Sequence, residues 1–340
     1  MRDLRERGGR RPQLHVREGL TAESDVASEQ ASTPARGARP SARARPSTAV
    51  LLLVSLRPEQ WTKNLLVLAG VVFGGRLLEP PAVAVALSAF AIFCALSGAV
   101  YLLNDVADRE ADQNHPLKRE RPIASGQLAS STAVTAAVVL GAAGVAAAFV
   151  VNTSLGLAAA MYLASQVLYS FAVKHVVILD VLTIAGGFVL RAIAGAVAVD
   201  VPIGHWLLIC TTLLALFLAL SKRRHELTLL AEGATDHRRI LEEYSPYLLD
   251  QMIGVVTSST LIAYTMYATS ADTAARLGTA KLGLTIPFVL YGIFRYLYLV
   301  HQKRGGGSPA AMLLTDRPLL GCVALWAASV VVLLYSPLGK

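Results

Sequence analysis

Asp105, Asp108 and Asp112 stand three and four residues apart in the stretch Tyr101-Leu-Leu-Asn104-Asp105-Val-Ala-Asp108-Arg-Glu-Ala-Asp112. On a helix, positions i, i+3 and i+7 share one face, so the three carboxylates form a stripe. Asn104 lies four residues before Asp108 and sets its amide beside the same stripe. Carboxylates this close repel one another unless a cation stands between them. Hard oxygen donors suit Mg2+, which takes one or two carboxylates, keeps water and accepts substrate phosphate oxygens. Lys118, Arg119 and Arg121 follow, and Pro116 and Pro122 hold that segment off a regular helix. A carboxylate stripe beside a basic cluster is what a metal-bridged diphosphate needs. The ion holds one set of oxygens, and Lys and Arg hold the rest.

These side chains need elements to hold them, and the composition says which kind. The chain has 340 residues, 54% of them hydrophobic and only 16% charged. A membrane-spanning helix uses roughly 20 mostly apolar residues, so this content fills about nine spans. A soluble protein carries roughly 25% charged residues. With a mean hydropathy of +0.52, these figures exclude a soluble globular enzyme, a disordered regulator and a fibrous protein. They leave an all-α polytopic membrane protein. Apolar runs predict nine spans, at 50–75, 82–103, 129–150, 154–174, 177–199, 203–221, 247–270, 281–300 and 318–336. The first run, broken by Arg57, Pro58, Glu59 and Lys63, reads as a short interfacial helix that becomes a span near Trp61. Residues 1–47 have no apolar periodicity and read as a disordered cytoplasmic extension, leaving 48–340 as the transmembrane domain. The ten Arg of the extension are scattered without aromatics, which argues against nucleic acid and for proximity to anionic lipid headgroups. No cleavable signal peptide is evident, so the first span is expected to act as its own signal.

Loop charges predict an orientation. With the N-terminus inside, the loops 104–128, 175–176, 222–246 and 301–317, with Lys174 at an edge, carry thirteen Lys and Arg. The opposite side carries three: Arg76, Arg276 and Lys281. This bias predicts a multi-pass protein of the cell (inner) membrane, N-terminus and acid stripe cytoplasmic, C-terminus outside. The stripe then ends the second span at the cytosolic water interface.

Other side chains carry two readings each. Lys63 and Asn64 follow Trp61 near the cytosolic end of the first span; Lys63 either reaches a phosphate or snorkels as an anchor. Tyr169, Lys174 and Asp180 flank the turn between the fourth and fifth spans, where they can hydrogen-bond a phosphate or a ribose hydroxyl or simply mark the interface. Arg191 lies deep in the fifth span and must face the bundle interior or a wet cavity, bound to a substrate phosphate or paired with a buried acid. Arg295 in the eighth span is similar. Cys94, Cys210 and Cys322 each sit in an apolar run without a metal-ligand spacing and read as buried small residues. There is no Walker, dinucleotide-binding, nucleophile-elbow or HExxH pattern.

The run Asn104-Asp105-x-x-Asp108-x-x-x-Asp112, followed by Arg121-Pro-Ile-Ala-Ser-Gly126, resembles the first aspartate motif of the UbiA superfamily of intramembrane prenyltransferases. The resemblance covers about residues 50–340. Within the superfamily the marks are Leu56-Arg-Pro-Glu-Gln-Trp-Thr-Lys-Asn64, Asp112-Gln-Asn-His-Pro-Leu-Lys118, Tyr169-Ser-Phe-Ala-Val-Lys174, Arg191-Ala-Ile-Ala-Gly195 and Lys222-Arg-Arg-His-Glu226. They resemble most the branch that moves phosphoribose onto decaprenyl phosphate, a step toward cell-envelope arabinan. The resemblance implies a nine-helix bundle around a cavity open to lipid. It implies an Mg2+-dependent transfer of 5-phosphoribose from phosphoribosyl pyrophosphate to polyprenyl phosphate, with release of pyrophosphate. Asp105, Asp108 and Asp112 would hold the metal as the catalytic acids. Lys118, Arg119 and Arg121 would hold phosphates, with Asn104, Lys63, Asn64, Tyr169, Lys174, Asp180 and Arg191 as further substrate contacts.

One place departs from the superfamily pattern. Members that prenylate aromatic rings carry a second aspartate motif after the sixth span; here that place reads Ser221-Lys-Arg-Arg-His-Glu-Leu227, with Glu226 its only acid. Cations there suit a donor with an extra 5-phosphate, held by Lys222 or Arg223. Two other readings stay open: a transferase placing a prenyl group on an aromatic acceptor, and a secondary transporter using Asp180, Arg191 and Arg295. Self-association is also left open.

Overall fold

The computed structural model describes residues 46–116, 118–231, 241, 243–303 and 305–337. Among these residues there are helices and turns and no strand. The extension expected at 1–47 lies, up to Arg45, outside the described residues.

The first apolar run does not make one span. α1 (Thr48–Ser55) is capped by Ser47, whose hydroxyl accepts from the Val50 amide. It stops before Arg57, which precedes Pro58 and takes the left-handed conformation at φ 54, ψ 65. Proline disfavours a helical residue before it, so the helix cannot continue. A 3-10 stretch (Pro58–Leu68) and the short α2 (Ala69–Phe73) complete the segment.

α3 (Pro80–Ala107) opens on a proline pair and has 28 residues. At 1.5 Å per residue it is about 42 Å long, enough to cross a hydrocarbon core and carry its last turn into the interface. α4 (Arg109–Asn114) follows directly. α5 (Ser130–Val151) and α6 (Thr153–Phe171) meet at Asn152, which caps α6 by accepting from the Leu155 amide. α7 (Leu179–Ala198), α8 (His205–Ala231), α9 (Pro246–Thr269), α10 (Ala271–Leu277), α11 (Ile286–Gln302), α12 (Pro309–Thr315) and α13 (Arg317–Tyr335) complete the order.

Seven of these helices are long and apolar enough to cross a membrane, among the described residues. They correspond to predicted spans two to six, eight and nine. α9 has 24 residues in the place of the seventh span, but Gln, Ser, Thr and Tyr dilute its apolar content. Their number indicates a multi-pass protein, and the predicted count of nine is not reached on length and composition.

Helix interfaces are built from small residues. Ala86, Ala89, Ala133, Ala137, Ala159 and Ala194 are buried, while Val139, Val150, Val255 and Ile262 point outward. This inversion fits lipid as solvent, because hydrocarbon gives no reward for hiding large apolar groups and packing alone favours close helices. α3 packs on α5, α6 and α7, α7 on α6 and α8, α8 on α9, and α11 on α9 and α13. The closest approach sets the site. A Cβ on Gly195 of α7 would stand 1.8 Å from the Val67 carbonyl oxygen, and one on Gly70 would stand 2.4 Å from the Gly195 carbonyl. Only glycine lets the 58–73 segment lie against α7 at this point. One turn earlier on α7, Arg191 then reaches Asn64.

Candidate active site

The acids of the stripe emerge at the end of α3. Asp105 is in its last turn, Asp108 at the α3–α4 junction and Asp112 in α4. The backbone stays close to helical across the junction, because the Asp108 amide donates to Asn104 and the Asp112 amide to Asp108. Asp105 and Asp112, seven apart, therefore face the same way, and both are buried at 3% and 4% exposure. They converge on one cationic atom. Arg121 Nη1 donates to Asp105 Oδ1 at 3.1 Å and to Asp112 Oδ2 at 2.6 Å. Arg57 pairs with the same Asp105 oxygen and lies over the Tyr101 ring, 5.0 Å from its centroid. Asp108 turns away, and Lys174 Nζ donates to it at 2.7 Å.

The Arg121-Pro-Ile-Ala-Ser-Gly126 run explains how Arg121 gets there. Its backbone folds into consecutive turns, with the Ser125 amide donating to Arg121 and the Leu128 amide to Pro122. Ile123 and Leu128 are buried and pin the turn to the protein, and Gly126 supplies the positive φ of 76 that ends it. Gln113 of α4 donates to the Ala124 carbonyl and ties the turn to the acid helix.

A second cluster surrounds Arg223. The predicted loop 222–246 is in fact helical up to Ala231, and residues 232–240 and 242 lie outside the described residues. Arg223 is 1% exposed, and Asp180, at the start of α7, is wholly buried. Arg223 Nε donates to Asp180 Oδ2 at 2.8 Å and Nη1 to Glu226 Oε2 at 2.6 Å, with Tyr169 at 3.4 Å from Nη2. The Tyr244 hydroxyl donates to Asp180 Oδ1 at 2.9 Å and accepts from the Ile178 amide at 2.8 Å. Burial pushes the Tyr244 phenol up to about 12, so it stays a donor at any physiological pH. Lys222, four residues from Glu226 and 3.8 Å from it, keeps a side chain 44% exposed. Arg223, expected to face a phosphate, is engaged here by two carboxylates. Lys222 is more exposed to solvent than Arg223 or Arg224.

A third network lies deeper. Arg191 is 6% exposed. It donates from Nε to Asn64 Oδ1 at 2.7 Å, from Nη1 to the Gly187 carbonyl at 2.9 Å and from Nη2 to the Tyr162 hydroxyl at 2.6 Å. Its guanidinium also stacks over Tyr162 and Phe188. Asn64 in turn donates to Ser97 and Cys94. Among the described residues its hydrogen bonds go to neutral groups. Lys63, next to Asn64, is close enough to interact electrostatically with Arg191, Arg57 and Lys222.

The structure thus unites Asp105, Asp112 and Arg121, couples Asp108 to Lys174, joins Asp180, Arg223, Glu226 and Tyr169, and joins Asn64 to Arg191. Arg119 is solvent-exposed, Lys118 begins a 3-10 turn, and Asn104 sits half-buried on α3. Arg295 pairs with Asp316 through two hydrogen bonds, which answers for its charge. Sequence reasoning missed Arg57, Tyr162 and Tyr244. Arg57 carried one signal, a charged residue inside an apolar membrane run; the two tyrosines carried none.

Among the described residues, no three acidic, His or Cys side chains converge tightly enough to form a metal cage. Mg2+ does not require one, since it commonly takes one or two carboxylates and completes its shell with water and phosphate oxygens. The convergence of Asp105 and Asp112 on a single positive atom fits that demand, and the donor set is the hard-oxygen kind.

Paired carboxylates with arginines and a lysine at the end of α3 define a helical protein with a hard-oxygen, cation-flanked site that suits a metal-bound diphosphate. Residues 64–317 match the UbiA prenyltransferase family, and the chain belongs to it. It is 34% identical over 297 residues to the decaprenyl-phosphate phosphoribosyltransferase of Mycolicibacterium smegmatis, covering 84% of this chain and 92% of that one. Its identity to the enzyme of that name from Mycobacterium tuberculosis is 36% over 282 residues, covering 81% and 91%. Among solved structures, a UbiA homologue from Archaeoglobus fulgidus bound to DMAPP and Mg2+ superposes with a TM-score of 0.63 at 18% identity. The match covers 82% of this chain and 98% of that one, and it shows the shared fold.

Proposed function

We propose that this protein transfers 5-phosphoribose from phosphoribosyl pyrophosphate to decaprenyl phosphate and releases pyrophosphate. The observation that carries the reading is the pairing of an acid–arginine cluster at the end of α3 with a cationic second motif, in a chain whose relatives are named decaprenyl-phosphate phosphoribosyltransferases. An Mg2+ ion held by Asp105 and Asp112 would supply charge stabilisation for the departing pyrophosphate. Arg57, Arg121 and Lys174 stand beside those acids and would take the remaining pyrophosphate oxygens; Lys118, Arg119 and Asn104 extend the same rim. Lys222 and Lys63 would face the 5-phosphate, and Arg191 would add a further positive charge. The bond from ribose C1 to the pyrophosphate oxygen breaks as an oxygen of the lipid phosphate bonds to C1. That phosphate is already an anion, so no general base is required. Asp180, Tyr169, Arg223 and Glu226 act as the frame that positions Lys222.

On this reading the 58–73 segment and α9 complete nine membrane crossings, the site faces the cytoplasm, and the transmembrane domain begins near residue 48. The test supplies labelled phosphoribosyl pyrophosphate plus polyprenyl phosphate, or prenyl diphosphate plus a hydroxybenzoate, to the purified protein. A labelled lipid phosphoribose from the first pair is expected. Product from the second pair alone would replace the reading with ring prenylation, and vesicle uptake without covalent change would replace it with transport.

A further inference from the structure

Arg121 Nη1 lies 3.1 Å from Asp105 and 2.6 Å from Asp112. A divalent ion held by those two carboxylates would need the space that the guanidinium occupies, since such an ion binds carboxylate oxygens at about 2.0–2.1 Å. The guanidinium and the ion cannot both be there. The acids are the fixed half of the pair, at 3% and 5% side-chain exposure, whereas Arg121 and Arg57 are 29% and 23% exposed and have room toward solvent. The backbone turn that carries Arg121 is pinned by buried Ile123, so the movable part is the side chain.

Charge balance points the same way. Asp105 and Asp112 are offset by Arg57 and Arg121, and Asp108 by Lys174. Metal alone would add two positive charges to balanced pairs and strand the arginines. Pyrophosphate alone would meet cations whose bonds are already committed to carboxylates. Arriving together, the ion takes the carboxylates and the displaced guanidiniums take phosphate oxygens, for which their forked geometry is suited.

We infer that Arg121, assisted by Arg57 and Lys174, makes metal and pyrophosphoryl binding mutually dependent by guarding the carboxylates and then clamping the phosphate. The inference rests on the metal–pyrophosphate reading above and adds a sign to it: removing the guard tightens the metal and loosens the phosphate. A residue that merely supports the fold would weaken both.

The experiment titrates Mn2+, by its electron paramagnetic resonance signal, into the purified full chain in detergent, with and without inorganic pyrophosphate. In the unaltered protein pyrophosphate is expected to tighten Mn2+ at least tenfold, and Mn2+ to tighten pyrophosphate by the same factor, as linkage requires. Arg121→Gln is expected to bind Mn2+ alone about tenfold more tightly or better, the equilibrium worth of one charge-assisted hydrogen bond. Its coupling to pyrophosphate should shrink. Arg57→Gln should move both in the same directions by less, and it carries the test if Arg121→Gln fails to fold. Mn2+ should also raise the melting temperature of the variant more than that of the parent. Equal or weaker Mn2+ binding by the folded variant overturns the inference. Asp105→Asn separates the two layers. If it leaves Mn2+ binding intact, the metal reading itself is wrong. If it abolishes binding while Arg121→Gln does not tighten it, only the guard is wrong.

Discussion

Replacing Arg223 asks whether a buried arginine in the second motif serves the substrate or the fold. The guanidinium is 2% exposed, with Asp180 at 0%, at 2.8 Å. Breaking a buried ion pair by removing one partner costs about 3–5 kcal/mol, because the other charge is left stranded. Arg223→Met strands Asp180, although the Tyr244 hydroxyl still donates to it. Asp180→Leu strands Arg223 less completely, because Glu226 remains at 2.6 Å. The expected losses are about 4 kcal/mol for Arg223→Met and about 3 kcal/mol for Asp180→Leu. The double variant removes both charges and should cost less than either single change, about 1–3 kcal/mol, mostly from the orphaned Tyr244 hydroxyl and the loosened Glu226. The assay is thermal unfolding in detergent for all four proteins, with phosphoribosyl pyrophosphate affinity measured alongside. A framing role predicts a large coupling energy and, in the double variant, phosphoribosyl pyrophosphate affinity within about threefold of the parent, a shift of under 1 kcal/mol. If Arg223→Met instead unfolds like the parent and loses phosphoribosyl pyrophosphate affinity, the guanidinium serves the ligand and the framing argument fails.

Three further outcomes follow from the same geometry. Gly195→Ala drives a methyl into the Val67 carbonyl, 1.8 Å from its Cβ, and should cost at least about 3 kcal/mol by thermal unfolding while displacing Lys63 and Asn64. Tyr244→Phe removes a donor to Asp180 and an acceptor for the Ile178 amide; a loss of about 2–4 kcal/mol is expected, constant between pH 6 and 9 because the phenol titrates only at about 12. Asp316, whose carboxyl is held below its usual range by the hydrogen bond from Arg295, stabilises the fold above the unfolded carboxylate pKa. That contribution fades as pH falls through the lowered folded value. Asp316→Asn should therefore lower the melting temperature at neutral pH, with a gap to the parent that closes in strong acid; a gap independent of pH would refute the assignment.

Much of this site is written in local spacing. The seven-residue separation of Asp105 and Asp112 is two helical turns, so their shared direction was legible even though the helix is interrupted at Asp108. The interruption is what the pattern hid: it turns Asp108 toward Lys174 and splits a predicted stripe of three into two plus one. The pairing of Arg121 with the acids was not legible, because its reach depends on a turn packed through Ile123. Apart from Glu226 and the Gly187 carbonyl, which lie within one helical turn, the partners of Arg223 and Arg191 come from α7, from α6 and from the 58–68 stretch, at separations of 29 to 127 residues. No local rule encodes such pairs. The spans were legible where apolar content is dense and failed where Arg57 and Pro58 break the chain and where polar residues dilute α9.

The short connection between α6 and α7 explains why the two charged clusters are not independent. It carries Lys174, bound to Asp108 of the first motif, and four residues later Ile178, whose backbone is bound to Tyr244. Ile178 sits at φ 68, ψ −44, a region a β-branched residue avoids unless its surroundings hold it there. The Tyr244 hydroxyl is that constraint, and the same oxygen donates to Asp180 and so reaches Arg223. Lys174 therefore hangs from a connection whose far end is tied to the second motif by the Ile178–Tyr244 hydrogen bond. On the proposed reading, that tie would keep the acids that would hold a metal in register with the cation that would face the 5-phosphate, as a donor carrying two phosphate groups at a set separation would require.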